Sequence, residues 1–145
     1  MSIEIKLEGF DELLAKIEKA GGSIDGAVES CVKQSATIMH NELKTQMQNA
    51  DVDSGLINRM PAPTFEKTGN RITARVGYKK GSYNPQEPSD GYKIVFANYG
   101  TPRRSKHGKI AARGFIQKAK KKARPQIKKQ QEQTLNDVLR GLNGQ

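Results

Sequence analysis

Residues of the types that carry out acid–base, nucleophilic or metal chemistry are scarce in this chain of 145 residues. It contains one cysteine, Cys31, and two histidines, His40 and His107. One cysteine allows neither a disulfide within the chain nor a four-cysteine zinc site, and two histidines are too few for most histidine-based metal sites. Asp51 and Asp53 lie close together, but no further carboxylates follow at EF-hand spacing. We therefore predict no catalytic residues, no bound metal and no cofactor.

Each of these residues has a structural interpretation that we favour. Cys31 lies on the apolar face of a predicted helix, which is typical of a buried, unreactive thiol. His40 falls beside that face and is predicted to be a surface or boundary residue, whereas His107 lies in a basic loop that is a poor place for a pre-organised base. Asp51 and Asp53 are predicted to cap a turn. A small basic ribonuclease, using lysines and arginines to stabilise a phosphoryl transition state, is a less favoured alternative.

Charge is the most uneven property of the sequence. The chain holds 25 Lys and Arg against 15 Asp and Glu, a formal net charge of +10. Residues 91–131, called the basic third below, contain 13 of those basic residues and no acidic residue. Such asymmetry indicates either a polyanionic partner or an acidic face on a neighbouring protein, and a solvated helix face is the alternative.

Nucleic acid is one partner that the basic third could bind. A basic helix over residues 113–129 could contact phosphates without reading bases. The sequence has no zinc finger, basic zipper or RNA-recognition aromatic motif, so sequence-specific readout is not expected. The residues predicted to contact a polyanion are Arg113, Lys118, Lys121, Lys122 and Arg124.

The N-terminal half is predicted to contain a strand and two helices. Apolar residues alternate with charged ones over Ile3–Leu7, which predicts a half-buried strand. A helical pattern follows over Phe10–Ala20. Ser23 or Asp25 can cap a second, longer helix whose apolar face extends over Ile24–Met47. We find no secretory leader and no apolar run long enough for a bilayer, so we expect a soluble protein made in a reducing cytoplasm.

The middle of the chain alternates loops with short ordered elements. Residues 50–63 are rich in turn-forming types and are predicted to be a loop. A β-hairpin is predicted to turn at residues 68–71. Residues 79–91 are predicted to be a long loop, and residues 101–112 a second, basic loop. The apolar run 93–99 between them is either a buried strand or a single helical turn, because periodicity does not distinguish the two.

A last helix is predicted from Gly114 to about Leu142. Pro125 lies inside it, and a proline there lacks the N–H that an interior helical residue donates. We therefore expect the helix either to kink near Pro125 or to restart with Pro125 in its first turn.

Three short segments, in this order, carry a family resemblance. They are Val52-Asp53-Ser54-Gly55-Leu56, Phe96-Ala97-Asn98-Tyr99-Gly100-Thr101 and Gly114-Phe115-Ile116-Gln117-Lys118-Ala119. With the N-terminal strand and the long helix, they make the chain resemble the neck or tail-completion proteins of long-tailed bacteriophages and prophages, which are minor virion proteins at the head–tail junction. The common patterns of that family are V-D-T-G-x-L, Y-x-E-F/Y-G-T and P-F-L/M-x-P-A. In this chain Ser54 replaces the threonine, Asn98 replaces the acid, and Gly114 and Lys118 replace the two prolines.

The resemblance implies an α+β fold in which a small antiparallel sheet packs against the long helix, with a C-terminal helix beside them. It implies one domain over residues 1–142, with mobile loops near 79–91 and 101–112 and a frayed tail at 143–145. It also implies a ring of identical subunits around the DNA passage, which is a heterologous, closing assembly. Neighbouring neck, connector or tail proteins would be the other partners, with no membrane and no small-molecule substrate.

The motif residues are predicted to have structural roles. Asp53 and Ser54 can accept backbone N–H bonds in a turn, with Gly55 free to take a positive φ, and Gly100 lets the chain reverse after the apolar run.

Two hypotheses follow for function. The first is a non-enzymatic assembly protein at the head–tail junction or tail end of the virion, and the second is a general nucleic-acid-binding module. For the first, the predicted subunit or partner contacts are Tyr99, Thr101, Arg103, Arg104, Lys106 and Lys109.

Overall fold

The computed structural model describes residues 2–69, 71–79, 89–100 and 111–144. The fold is α+β, as predicted, with a small antiparallel sheet packed against a long helix. The elements, in chain order, are β1 (Ser2–Ile5), α1 (Asp11–Lys19), α2 (Ile24–Asn49), α3 (Ser54–Asn58), β2 (Thr64–Thr68), β3 (Arg71–Gly77), α4 (Asp90–Tyr99) and α5 (Phe115–Asn143).

The sheet has the strand order β1-β3-β2, and both pairings are antiparallel. Ile3 lies opposite Val76 and Ile5 opposite Ala74, and all four are buried toward the helices. This period of two confirms the predicted strand, although β1 already ends at Ile5. The predicted hairpin is also confirmed, since β2 and β3 are joined at the turn that begins with Gly69.

Helix α2 forms the centre of the domain. Ser23 caps its start, because the Ser23 hydroxyl accepts the Gly26 N–H at 3.2 Å. Cys31 is fully buried, its Sγ donates to the Gln131 carbonyl of α5 at 3.8 Å, and burial raises the pKa of the thiol to about 11. The predicted buried thiol is therefore confirmed. The buried residues of α2 are Ala27, Cys31, Val32, Ser35, Ala36, Met39, Leu43, Gln46 and Met47.

Polar pairs between α2 and α5 set the register of these two helices. Gln131 is buried and its Nε2 donates to the Ser35 hydroxyl at 2.9 Å. Nearby, the Thr134 hydroxyl donates to Gln34 Oε1 at 2.8 Å. Since an unpaired buried polar group is costly, a shift of one helix along the other would be penalised.

Three segments either differ from their prediction or adopt one of two predicted alternatives. The predicted loop 50–63 contains the short helix α3, which forms because Leu56 and Ile57 are buried on one side of a single helical turn. The run 93–99 is helical and belongs to α4, whose first turn takes up the end of the predicted loop 79–91. Helix α5 continues through Pro125, so it does not restart there. Residues 80–88 and 101–110, where the mobile loops are predicted, lie outside the described residues, as does Gln145 of the predicted tail.

Candidate interaction surface

Arg113 closes the C-terminal end of α2. Asp51 takes a left-handed conformation, with φ of 55°, directly after the helix. The Arg113 guanidinium donates to the carbonyl oxygens of Ala50 and Asp51, both at 3.2 Å. A cation at this place satisfies terminal carbonyls and faces the negative end of the helix dipole. Arg113, predicted to contact a polyanion, is therefore engaged within the fold.

Asn98, at the end of α4, fixes the start of α5. Its Oδ1 accepts the Ile116 N–H at 2.9 Å, and its main-chain oxygen accepts the N–H groups of Arg113 at 3.1 Å and Gly114 at 3.0 Å. The side chain is 1% exposed, and Nδ2 has no hydrogen-bond partner among the described residues. Asn98 thus serves as a cap for α5, and an acidic side chain at this position could supply the same acceptor.

The predicted turn residues have mixed outcomes. Asp53 directly precedes α3, yet its side chain makes no capping hydrogen bond. Ser54 and Gly55 are the first residues of α3, and Gly55 is not among the glycines with positive φ. The predicted left-handed turn at Gly55 is therefore wrong, because the chain forms a helical turn there instead. Gly100 does have a positive φ, 80°, and ends α4 as predicted.

Two further contacts join α3 to the neighbouring elements. The Tyr78 hydroxyl, after β3, donates to the Leu56 carbonyl at 2.6 Å, and burial raises the pKa of Tyr78 to about 12. Arg59, after α3, donates to both carboxylate oxygens of Asp90 at 3.0 and 3.1 Å, and these hydrogen bonds lower the pKa of Asp90. The region around the end of α2 is therefore held by α3, α4 and the start of α5 together.

Of the predicted subunit or partner contacts, the structure describes only Tyr99. Its side chain is 57% exposed at the end of α4, so it is accessible to a partner. The other predicted contacts lie outside the described residues, and they are Thr101, Arg103, Arg104, Lys106 and Lys109.

The first half of α5 presents a dense array of exposed cations. None of them forms an ion pair with a residue in the described part of the chain, in contrast to Lys33 and Arg59 elsewhere. Helical spacing sorts them into two rows with Lys121 between. The outer row is Lys118, Lys122 and Lys129, and the groove row is Lys120, Arg124 and Lys128.

Within the described ranges, no group of three or more His, Cys, Asp or Glu side chains is placed to hold a metal ion. His40 is half-buried, as predicted for a boundary residue, and burial, with a smaller effect of Lys44, lowers its pKa. His107 lies outside these ranges. None of the helices described is long and apolar enough to span a membrane.

Comparison of the chain with protein-family models, curated proteins and solved structures finds no match. Sequence reasoning did not identify Asn98 as the cap of α5 or Arg113 as the cap of α2. The available signal was that Asn98 is the only polar side chain other than Tyr99 in the run 94–99, since a polar residue in an apolar run usually has a specific hydrogen bond.

Proposed function

We propose that this chain is a non-enzymatic structural protein of a long-tailed bacteriophage or prophage virion. It would act in assembly at the head–tail junction or the tail end as a subunit of a ring, after synthesis in the bacterial host cytoplasm. One observation carries the proposal: the three segments on which the resemblance depends, distant in sequence, meet around the end of α2. Asn98 of the second segment accepts the Ile116 N–H of the third, and Arg113, directly before the third, donates to the carbonyl oxygens of Ala50 and Asp51, just before the first. Side chains of all three segments also pack in one core cluster.

This arrangement supports a docking role for the basic segment 101–110. The chain enters that segment at Gly100, beside the exposed Tyr99, and the N–H of Arg113 after it returns to the Asn98 carbonyl at 3.1 Å. The described residues on either side of the segment thus meet at one place on the core. A segment anchored in this way can be offered to a neighbouring subunit or to a connector or tail protein at small conformational cost.

A second function, general binding of nucleic acid, is favoured by the cations in the first half of α5, which form no ion pair with a described residue. They are exposed over much of the helix circumference, and each could release a counterion from a phosphate. In the first function the same face would lie toward DNA in the passage or toward an acidic rim on a neighbour. The two functions differ in whether the isolated protein binds DNA tightly.

A complementation experiment in a phage or prophage that encodes the chain tests the first function. Deletion of the gene is expected to give DNA-filled heads and separate tails in electron micrographs. The double variant Arg103→Ala/Arg104→Ala should complement poorly, whereas the matched control Lys16→Ala/Lys19→Ala, on exposed positions of α1, should restore joined particles. Normal particles formed without the protein would refute the proposal.

Duplex DNA binding of the purified protein tests the second function. If the outer row contacts phosphates, replacing its three lysines by Gln should make the negative slope of log K against log salt concentration shallower by about 2 to 3. Nanomolar binding with a steep slope that the variant reduces would support the nucleic-acid function. Weak binding with a slope that the variant leaves unchanged would contradict it.

A further inference from the structure

A groove of about 530 Å³ lies between β1 and α5. One wall is β1 and the chain after it, and the other wall carries the groove row of α5. Met39 of α2 and Ile127 of α5 add apolar surface. The groove thus combines an apolar lining with a cationic wall.

The groove follows the edge of β1. It touches Ile3, Glu4, Ile5 and Lys6 in succession. Because successive side chains of a strand point to opposite faces, a surface that meets all four runs along the strand edge and not over one face. In the described part of the sheet β1 has a hydrogen-bonded neighbour, β3, on one side only. The main-chain groups on its other side therefore face the groove.

The opposite wall carries charges at a spacing that an extended chain can match. Lys120, Arg124 and Lys128 are each four residues apart, so they repeat about every 6 Å along α5. In an extended chain, alternate residues on the same face repeat about every 6.6 Å. Three carboxylates at alternate positions of one strand would therefore meet the three cations in turn.

The carboxylates already present do not neutralise this wall. Two carboxylates, Glu4 and Glu8, line the groove on its β1 side. Glu4 lies near Arg75 at 3.5 Å and Lys6 at 4.0 Å, and Glu8 forms no ion pair with a described residue. The groove row makes no ion pair with any residue of the ranges described. A second copy of β1 would bring Ile3 and Ile5, or Glu4 and Lys6, against this wall, so charge complementarity favours a more acidic strand.

We propose that this groove binds an extended acidic segment of a partner protein, which adds to the sheet as a strand beside β1 and sets alternate carboxylates against Lys120, Arg124 and Lys128. Main-chain hydrogen bonds to the free edge supply affinity, and the cation spacing selects the partner. The inference depends on the groove alone and holds whether or not the chain acts at a head–tail junction.

The probe is a fluorescein-labelled peptide, acetyl-Thr-Glu-Val-Glu-Val-Glu-Thr-amide, titrated with the full-length protein and followed by fluorescence anisotropy. We expect saturable binding that the Gln-for-Glu version of the peptide weakens about tenfold or more, as the loss of three exposed ion pairs implies. No binding of the Glu peptide would overturn the proposal.

Backbone methylation of the peptide tests strand addition separately from charge. One version is N-methylated at the three Glu residues and the other at the two Val residues. In a strand the N–H groups of successive residues point to opposite sides, so the Glu N–H groups share one side, the Val N–H groups share the other, and only one set faces β1. One version should therefore lose binding while the other retains it. Equal binding of both versions would show charge attraction without strand addition and would overturn the proposal.

Two protein variants with equal charge locate the site. Replacing the groove row by Gln should weaken peptide binding about tenfold or more, whereas replacing the outer row by Gln should change it less than threefold. Both sets are exposed, so circular dichroism should show the same fold for each variant. Equal losses in the two variants would mean a diffuse cationic face and would overturn the inference. Displacement of the peptide by a 20-base-pair DNA duplex would also overturn the inference. So would peptide binding that persists in the groove-row variant and depends on self-association of the protein.

Discussion

The hydrogen bond from Ile116 to Asn98 offers the sharpest test of how the end of α4 supports α5. In Asn98→Ala the Oδ1 that accepts the Ile116 N–H at 2.9 Å is lost, whereas the two hydrogen bonds to the main-chain oxygen of residue 98 remain. The change therefore isolates the side-chain cap. We expect the variant to fold but to be less stable.

The magnitude follows from opposing contributions. Loss of a cap costs about 0.5–2 kcal/mol, and leaving a buried N–H unpaired costs about 1–3 kcal/mol, and the two figures describe the same bond. Two effects offset part of this loss of stability. The substitution removes Nδ2, a buried group that has no partner among the described residues, and alanine has the higher helix propensity. We expect the free energy of unfolding to fall by about 1–2 kcal/mol, or the Tm by about 3–8 °C for a domain of this size.

The assay is urea unfolding followed by circular dichroism. Asn41→Ala, at an exposed position of α2, is the matched control for the propensity gain and should leave stability nearly unchanged or slightly raised. Asn98→Asp keeps an acceptor for the Ile116 N–H and should be more stable than Asn98→Ala. If Asn98→Ala is as stable as Asn41→Ala, the capping argument fails.

Three further predictions concern buried or interrupted groups. Tyr78→Phe should lower the free energy of unfolding by about 1 kcal/mol, because the Leu56 carbonyl loses its donor. The pKa of Tyr78 is raised in the folded state, so the unfolded chain ionises first and wild type should lose stability as pH rises from about 10 toward about 12. Tyr78→Phe should not show this loss. Urea titrations of wild type that give the same stability at pH 8 and pH 11 would contradict this. Cys31 should react with iodoacetamide in urea but hardly in buffer, and fast native alkylation in mass spectra would argue against its burial. Pro125→Ala should raise the free energy of unfolding by up to about 3 kcal/mol, and the Tm with it, because alanine restores a donor for the Lys121 carbonyl. An unchanged or lower Tm would mean that Pro125 is accommodated without cost.

The elements with a clear local sequence pattern were predicted correctly. The alternation at Ile3 and Ile5, the Ser23 cap and the apolar face of α2 are local signals, and each matches the structure. The hairpin turn at Gly69 was equally local. The α+β architecture came from the family resemblance, and it is confirmed.

Features that depend on distant partners were missed or left open. The run 93–99 contains four consecutive apolar residues, Ile94 to Ala97, so periodicity did not distinguish strand from helix, and the segment forms helix α4. Gly55 looked like a turn residue, yet burial of Leu56 made its segment helical. The partners of Asn98 and Arg113 lie 18 and more than 60 residues away. The local signal at Asn98, a polar side chain in an apolar run, indicates a specific hydrogen bond but does not identify its partner.

The net charge of the chain has different consequences at different positions of the basic third. The Arg113 guanidinium donates hydrogen bonds within the fold, to the carbonyl oxygens of Ala50 and Asp51 at the end of α2. The outer row is open to solvent and suits a diffuse polyanion, whereas the groove row faces a strand edge and suits an extended acidic chain. Salt should weaken binding at either row, since exposed charges are screened. Only binding at the groove row should also depend on which set of backbone N–H groups of the ligand is free to donate. That dependence distinguishes a docking site for a strand from a general attraction for anions.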